Sequence, residues 1–345
     1  MIEYLIEKAA EAKASDLHIA FASAPKIRVD GELIDMAGEA ALTDADCERI
    51  AQELLGREMP DAGEIDLALE IAGRRIRGNV YRQSGHISCA IRLLADSIPE
   101  LETLGLPKAV ATLPDLHSGI VLVTGETGSG KSTTLASLLK RINNYQHRHI
   151  ITLEDPIEYI HSSDKCLVDQ REIGRDTESY AMGLRAILRE DPDVILIGEM
   201  RDLETIETAL TAAETGHLVF ATLHTNSAAD SIDRIVDVFP AERQKQIRMQ
   251  LSTTLRAVLA QQLLKKLGGG RVAACELMVV NPAIKNLIRE GKTPQIESAL
   301  GTSANIGSIS MDNAILALYR DRLIDGATAL SYGRDKEYLG KTVRY

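Results

Sequence analysis

The sequence predicts an α/β protein: an α+β unit at the amino end, a P-loop domain built on a parallel sheet, and a carboxy-terminal region that is mainly helical. Three observations carry this. Over residues 1–94 short alternating segments follow one another with turn signals between them. From Gly119 onward, short apolar strands alternate with helical patterns, which implies a parallel sheet covered on both faces. At the head of that second pattern, residues 119–142 hold a strand, a glycine-rich turn and a helix in immediate succession.

In order, Ile2, Leu5, Ile6, Ala9 and Ala10 make an apolar stripe that predicts a helix over 2–13. Residues 26–33 alternate around Asp30-Gly31, a hairpin turn signal. Thr43 is positioned to cap a helix over 43–55. Strands are expected near 65–71, 74–81 and 86–94. Pro99, Gly105, Pro107 and Pro114 then punctuate a linker over 97–117.

The second domain spans 118–267, with strands expected at 119–124, 149–154, 193–198 and 218–223 and helices at 131–142, 177–190 and 203–215. From Pro240 the pattern reads as helical. Gly268-Gly269-Gly270 opens the last region, 268–345, which holds one short strand at 271–280. Helices are expected there over 282–289 and 311–323. The last dozen residues show no pattern.

The 345 residues, 45% of them apolar, suffice for two cores. A net charge of −11, from 39 basic and 50 acidic side chains, and an aromatic content of 3% without Trp argue against a nucleic-acid surface. Cys47, Cys89, Cys166 and Cys275 are far apart and form no C-x-x-C pair, so reduced, structural thiols of a cytosolic protein are expected. No run approaches the roughly 18 apolar residues of a membrane span, and the acidic amino terminus lacks a signal core. Direct membrane insertion is not expected.

Residues 125–132 fit the G-x-x-x-x-G-K-[ST] phosphate loop in its strand-before, helix-after context. Gly125, Gly128 and Gly130 free the backbone so that the amides of this turn, with Thr127, Ser129 and Thr133, converge on a polyphosphate. The helix that follows points its positive end at the same anion. Lys131 supplies a cation for the terminal phosphates and Ser132 a hydroxyl for Mg²⁺.

Two further strands end in acids. Residues 151–158 run from Ile151 into Glu154, Asp155 and Glu158, and Val194-Ile195-Leu196-Ile197-Gly198 ends in Glu199. Ligands sit beyond the carboxyl ends of parallel strands, so these carboxylates are expected to face the nucleotide. Singly, each is as readily a plain exposed acid; two beside a phosphate loop favour chemistry. His217 and His224 bracket the strand at 218–223. An odd separation puts them on opposite faces, which disfavours a shared metal. His224 and Thr225 lie at the phosphate end, whereas His217 either serves the site or braces the turn before it. His147 and His149 read as solvated. Arg74, Arg75, Arg77, Arg82 and Arg92 alternate in the first unit; periodicity alone favours a solvated edge strand for them.

These stretches together resemble the type II/IV secretion ATPase superfamily, and its pilus-retraction branch most closely. The resemblance rests on GETGSGKSTTLASLL (125–139), ITLEDPIEY (151–159), CLVDQREIGRDT (166–177), LREDPDVILIGEMRDLET (188–205) and the run over 211–240. It extends to ASDLHI and IRVDGEL near the start and to PAIKNLIREGK near the end, and so covers about residues 1–325. It implies a PAS-like N-terminal domain (1–96) joined to a RecA-like P-loop ATPase domain, assembled as a homohexamer that binds ATP and Mg²⁺.

By the same resemblance Lys131 and Ser132 fall on Walker A, 154–158 on the Asp box, Glu199 on Walker B, and His217 and His224 on the His box. Ser132, Glu199 and Glu158 are then the expected Mg²⁺ residues, mostly through water. Glu199 is expected to be the catalytic acid. Arg77 and Arg92 align with arginines that reach the nucleotide, and Arg189 is a further candidate. Expected partners are an inner-membrane pilus platform protein and an opposing assembly ATPase. The place expected is the cytoplasm, peripheral to the inner membrane.

Glu126 replaces the family's usual Pro, Asp169 stands where Asn is common, and Lys285 replaces Arg in AIKNLIRE (283–290), which keeps the charge but not a bidentate contact. The absence of a tetracysteine zinc module and of a long N-terminal extension favours retraction over assembly.

Overall fold

The computed structural model describes residues 1–94 and 97–343. It divides into two compact units, Met1–Ser97 and Ile98–Tyr345.

In the first unit a helix, Ile2–Glu11, precedes strands β1 (Asp16–Ile19), β2 (Lys26–Val29) and β3 (Glu32–Asp35). A second helix, Asp44–Leu55, leads to β4 (Glu64–Ile71), β5 (Arg74–Gln83) and β6 (His86–Leu93). The sheet is antiparallel in the order β3-β2-β1-β6-β5-β4. Asp30 and Gly31 both take positive φ, 49° and 90°, which gives the β2–β3 hairpin its tight turn. Thr43 caps the second helix: its hydroxyl accepts from the Asp46 N–H at 3.2 Å, and the Asp46 carboxylate accepts from the Thr43 N–H at 3.0 Å. The stripe Ile2, Leu5, Ile6 and Ala9 is buried with Leu17, Ile50, Val80 and Ile91 in one core. Cys47 and Cys89 lie within it, and Cys166 and Cys275 are likewise buried thiols.

In the second unit the strands are β7 (Gly119–Thr124), β8 (His149–Glu154), β9 (Leu167–Glu172), β10 (Val194–Ile197), β11 (Leu218–Leu223), β12 (Leu255–Lys265) and β13 (Arg271–Val279). Their order is β13-β12-β7-β11-β10-β8-β9, parallel throughout except for the antiparallel β12–β13 pair. All six residues of β7 and of β11 are buried, as strands covered on both faces require. The carboxyl ends of β7, β8, β10 and β11 therefore open on the same edge of the sheet.

Residues 98–117 form two 3₁₀ segments, Leu101–Leu104 and Lys108–Asp115. Their Leu101, Val110 and Leu113 are buried against Leu138, Leu139 and Ile142 of the helix Lys131–Tyr145.

Two expectations need correction. The helical reading beyond Pro240 holds for Ala241–Thr254 but fails at β12. Its Ala, Leu and Gln residues favour helix, yet pairing with β7 and β13 and near-continuous burial override that preference. The helix expected over 177–190 is confined to Tyr180–Ile187, because the Ser179 hydroxyl caps it and Thr177 is tied to Gly174 instead. The edge strand β9 and the helix Ala228–Asp237 were not anticipated from the residue pattern.

Candidate nucleotide site

The phosphate loop leaves the carboxyl end of β7 and enters the helix Lys131–Tyr145. Gly125, Gly128 and Gly130 have φ of 138°, 81° and 93°, values that side chains rarely allow. Space adds a second constraint at Gly125: a Cβ there would lie 2.4 Å from the Gln261 carbonyl and 2.6 Å from Ser129 Oγ. Lys131 is 9% exposed, and its ammonium donates to the carbonyls of Gly125 at 2.7 Å and Glu126 at 2.9 Å. Burial lowers its pKa, against the pull of Glu199, Glu158 and Glu126. Among the described residues, the buried hydroxyls of Thr124 and Ser129 have no hydrogen-bond partner. A narrow cradle with a folded-back lysine and unpartnered buried donors fits a polyphosphate.

Glu199 follows β10 after one intervening residue, Gly198. Its Oε2 accepts from Arg201 Nη2 at 2.6 Å, and its Oε1 lies 3.3 Å from His224 Nε2. Burial would raise its pKa, but Arg201 and His224 outweigh that and hold it below the usual carboxylate value. Gly198 must be small, since a Cβ would lie 2.8 Å from the Tyr180 hydroxyl and 3.1 Å from the Leu153 carbonyl. The Thr222 hydroxyl donates to the Gly198 carbonyl, so β11 fixes the turn that aims Glu199.

Glu154, at the end of β8, accepts from the Thr152 hydroxyl at 2.7 Å and from Gln170 Nε2 at 3.2 Å; burial raises its pKa. It lines a cavity of about 40 Å³ with Ser132, Tyr159 and His161. Thr133 and Tyr159 share a 2.8 Å hydrogen bond between hydroxyls. Glu158 is exposed, yet close enough to act electrostatically on Lys131.

The second unit thus brings Lys131, Ser132, Thr133, Glu154, Glu158, Glu199 and His224 to one edge of the sheet. It does not bring His217 or Arg189 there. His217 precedes β11, where its carbonyl accepts from the Gly119 N–H at the opposite end of β7. Its Nδ1 sits 2.9 Å from the Ala212 carbonyl and 3.2 Å from the Thr215 hydroxyl, bracing the turn. Arg189 is exposed ahead of β10, at that same far edge. Arg77 and Arg92 lie in the first unit, paired across β5 and β6, and Arg92 Nε donates to Asp16 at 3.0 Å.

Thr225 is engaged with Ser231 at 2.7 Å rather than aimed at the site. His149, read as solvated, is instead held between Asp169 at 2.9 Å and the Asp191 carbonyl at 3.1 Å. Residue reasoning missed Arg201, two positions past an acid that ends an apolar strand. It also missed Tyr159, which the conjunction of a strand end and Glu158 marks only weakly.

A family described as type II/IV secretion system protein matches residues 1–273. The type IV pilus retractation ATPase PilT of Pseudomonas aeruginosa is 47% identical over 332 residues, covering 95% of this chain and 96% of that one. A twitching motility protein of Neisseria gonorrhoeae is 48% identical over 278 residues, covering 80% of this chain and 74% of that one. Among solved structures, the pilus retraction motor PilT with bound ADP superposes with a TM-score of 0.87 at 44% identity, covering 99% of both chains. With likeness of this length, the chain belongs to the type II/IV secretion system protein family.

Proposed function

We propose that this protein is an ATP-hydrolysing motor that powers type IV pilus retraction. The observation that carries the reading is the near full-length likeness to retraction ATPases, joined to a phosphate loop faced by Glu199. In this reading the first unit is a PAS-like domain and the second a RecA-like domain. Six copies form a ring in the cytoplasm, peripheral to the inner membrane through the pilus machine. The ring turns a membrane-embedded platform protein and opposes an assembly ATPase.

The amides of the phosphate loop and Lys131 bind the triphosphate, Lys131 exchanging its two carbonyl partners for phosphate oxygens. Ser132, Glu158 and Glu199 would hold Mg²⁺, mostly through water, and the ion neutralises charge on the phosphates when bound. Glu199 orients the attacking water and takes its proton. Its ionised state, held by Arg201 and His224, suits a base. His224, beside it, stands where the terminal phosphate is sensed. Catalysis of this kind is mainly positioning and electrostatic stabilisation. We assign Arg77, Arg92 and Arg189 to the boundary between subunits, where cations from one copy complete the site of the next, while His217 braces the turn before β11.

Two experiments test the reading. Phosphate release by the wild type, lost in Glu199→Gln, separates a motor from a nucleotide-gated scaffold; negligible, equal rates would sink it. A deletion strain that keeps surface pili but no longer twitches supports retraction, whereas absent pili would point to assembly.

A further inference from the structure

We propose that Arg334, far along the chain from the phosphate loop, is a positioning residue for turnover, because it ties the loop over residues 224–227 to the carboxy-terminal region. The proposal rests on the ATPase reading above.

Glu276 on β13 is 1% exposed. A carboxylate so deeply buried needs a cation and hydrogen bonds on both oxygens. One oxygen accepts from the Ala228 N–H at 2.8 Å, at the start of the helix Ala228–Asp237. The other accepts from Arg334 Nη1 at 2.6 Å. The second terminal nitrogen of Arg334 donates to the carbonyl of Asn226. One planar guanidinium therefore serves a buried carboxylate and a loop carbonyl together, a geometry a lysine cannot reproduce.

Both ends of this clamp are anchored. The backbone N–H groups of Arg334 and Asp335 donate to the two oxygens of Asp312, at 2.8 and 3.0 Å, and Asp312 is 7% exposed. At the other end Asn226 Nδ2 donates to Glu126 of the phosphate loop at 3.3 Å. His224, which begins the clamped loop, lies 3.3 Å from Glu199. The path from Asp312 to the reacting edge thus consists of hydrogen bonds and two residues of chain. His224 and Asn226 are themselves exposed; Thr225 and Ser227 tie the loop to the helix that follows, and the clamp adds the tie to the carboxy-terminal region.

The test is steady-state ATP hydrolysis by the full chain, with affinity for a non-hydrolysable ATP analogue measured beside it. Arg334→Ala alone would strand a buried charge, so the informative variant is Arg334→Met with Glu276→Gln. That pair is neutral, and the glutamine still accepts from Ala228. The expected result is a fall in kcat of about tenfold or more, with KM and analogue affinity within about threefold, since misplacing a positioned group costs rate rather than ground-state binding. Arg334→Lys should recover only part of the rate. Unchanged kcat in the double variant overturns the proposal, as does a fall in kcat matched by equal loss of analogue binding. A wild type without Lys131-dependent phosphate release would overturn the ATPase reading and this proposal together, whereas an active wild type with an equally active double variant overturns this proposal alone.

Discussion

The carboxylate of Glu199 is held by the guanidinium of Arg201 at 2.6 Å, two residues further along the same turn. A base kept ionised by a neighbouring cation is ready at neutral pH, but the same contact competes with any water it must orient. Two substitutions, one at each end of this contact, have separate expected effects. Arg201→Ala lets the pKa of Glu199 rise, because Arg201 is among the causes that hold it down, so the acid limb of the pH dependence of kcat/KM moves to higher pH. Above that limb, Glu199→Gln loses about 10²-fold or more in kcat while nucleotide binding survives. pH–rate profiles of the two variants check both; an unmoved acid limb in Arg201→Ala would separate Glu199 from the base.

Lys131→Ala removes the one buried cation of the phosphate loop. Burial outweighs the pull of Glu199, Glu158 and Glu126 and lowers its pKa, so the fold gains no net stability from its charge. The expected outcome is little change in melting temperature and a loss of nucleotide affinity of about tenfold or more, from the missing charge-assisted hydrogen bonds. Titration with a fluorescent ATP analogue measures it.

Gly125→Ala is a steric test of the same loop. The new Cβ would meet the Gln261 carbonyl at 2.4 Å, on a backbone held at φ 138°. β12 carries that carbonyl and is fixed between β7 and β13, so the loop must move instead. A loss of about 1–3 kcal/mol in stability and undetectable turnover are expected; chemical denaturation and phosphate release read them out. Full activity would mean that the cradle is looser than this packing.

The phosphate loop was legible in the sequence because its chemistry is local: strand, glycines, lysine and helix lie within a single run. The acids at the ends of β8 and β10 were legible for the same reason, as strand and carboxylate are contiguous. β12 was not, because a strand buried on both faces loses the alternation that marks one, and its residues favour helix in isolation. Arg334 lies in a tail without pattern, and its partners Glu276 and Asn226 are 58 and 108 residues away. Only the three-dimensional pairing of β13 with β12 brings these together. The solvated reading of His149 failed likewise, since Asp169 comes alongside it through the pairing of β8 and β9.

Burial depresses the pKa of His161 from 6.5 to about 4, in the small cavity it shares with Glu154 and Ser132. The unfolded chain therefore binds a proton between pH 6.5 and about 4 that the folded chain does not, and stability falls as pH drops through that window. The contribution of His161 is fully present above 6.5 and gone below about 4, at most about 3 kcal/mol. His149 acts in the opposite sense. Burial alone would lower its pKa, but hydrogen bonds to Asp169 and to the Asp191 carbonyl raise it overall, so its contribution is present below 6.5 and lost as pH rises through the folded value. Thermal melts from pH 7.5 to 4.5 on wild type, His161→Phe and His149→Phe separate the two. His161→Phe should flatten the acid decline and His149→Phe should steepen it; a decline untouched by His161→Phe would mean that its imidazole is protonated in the folded chain.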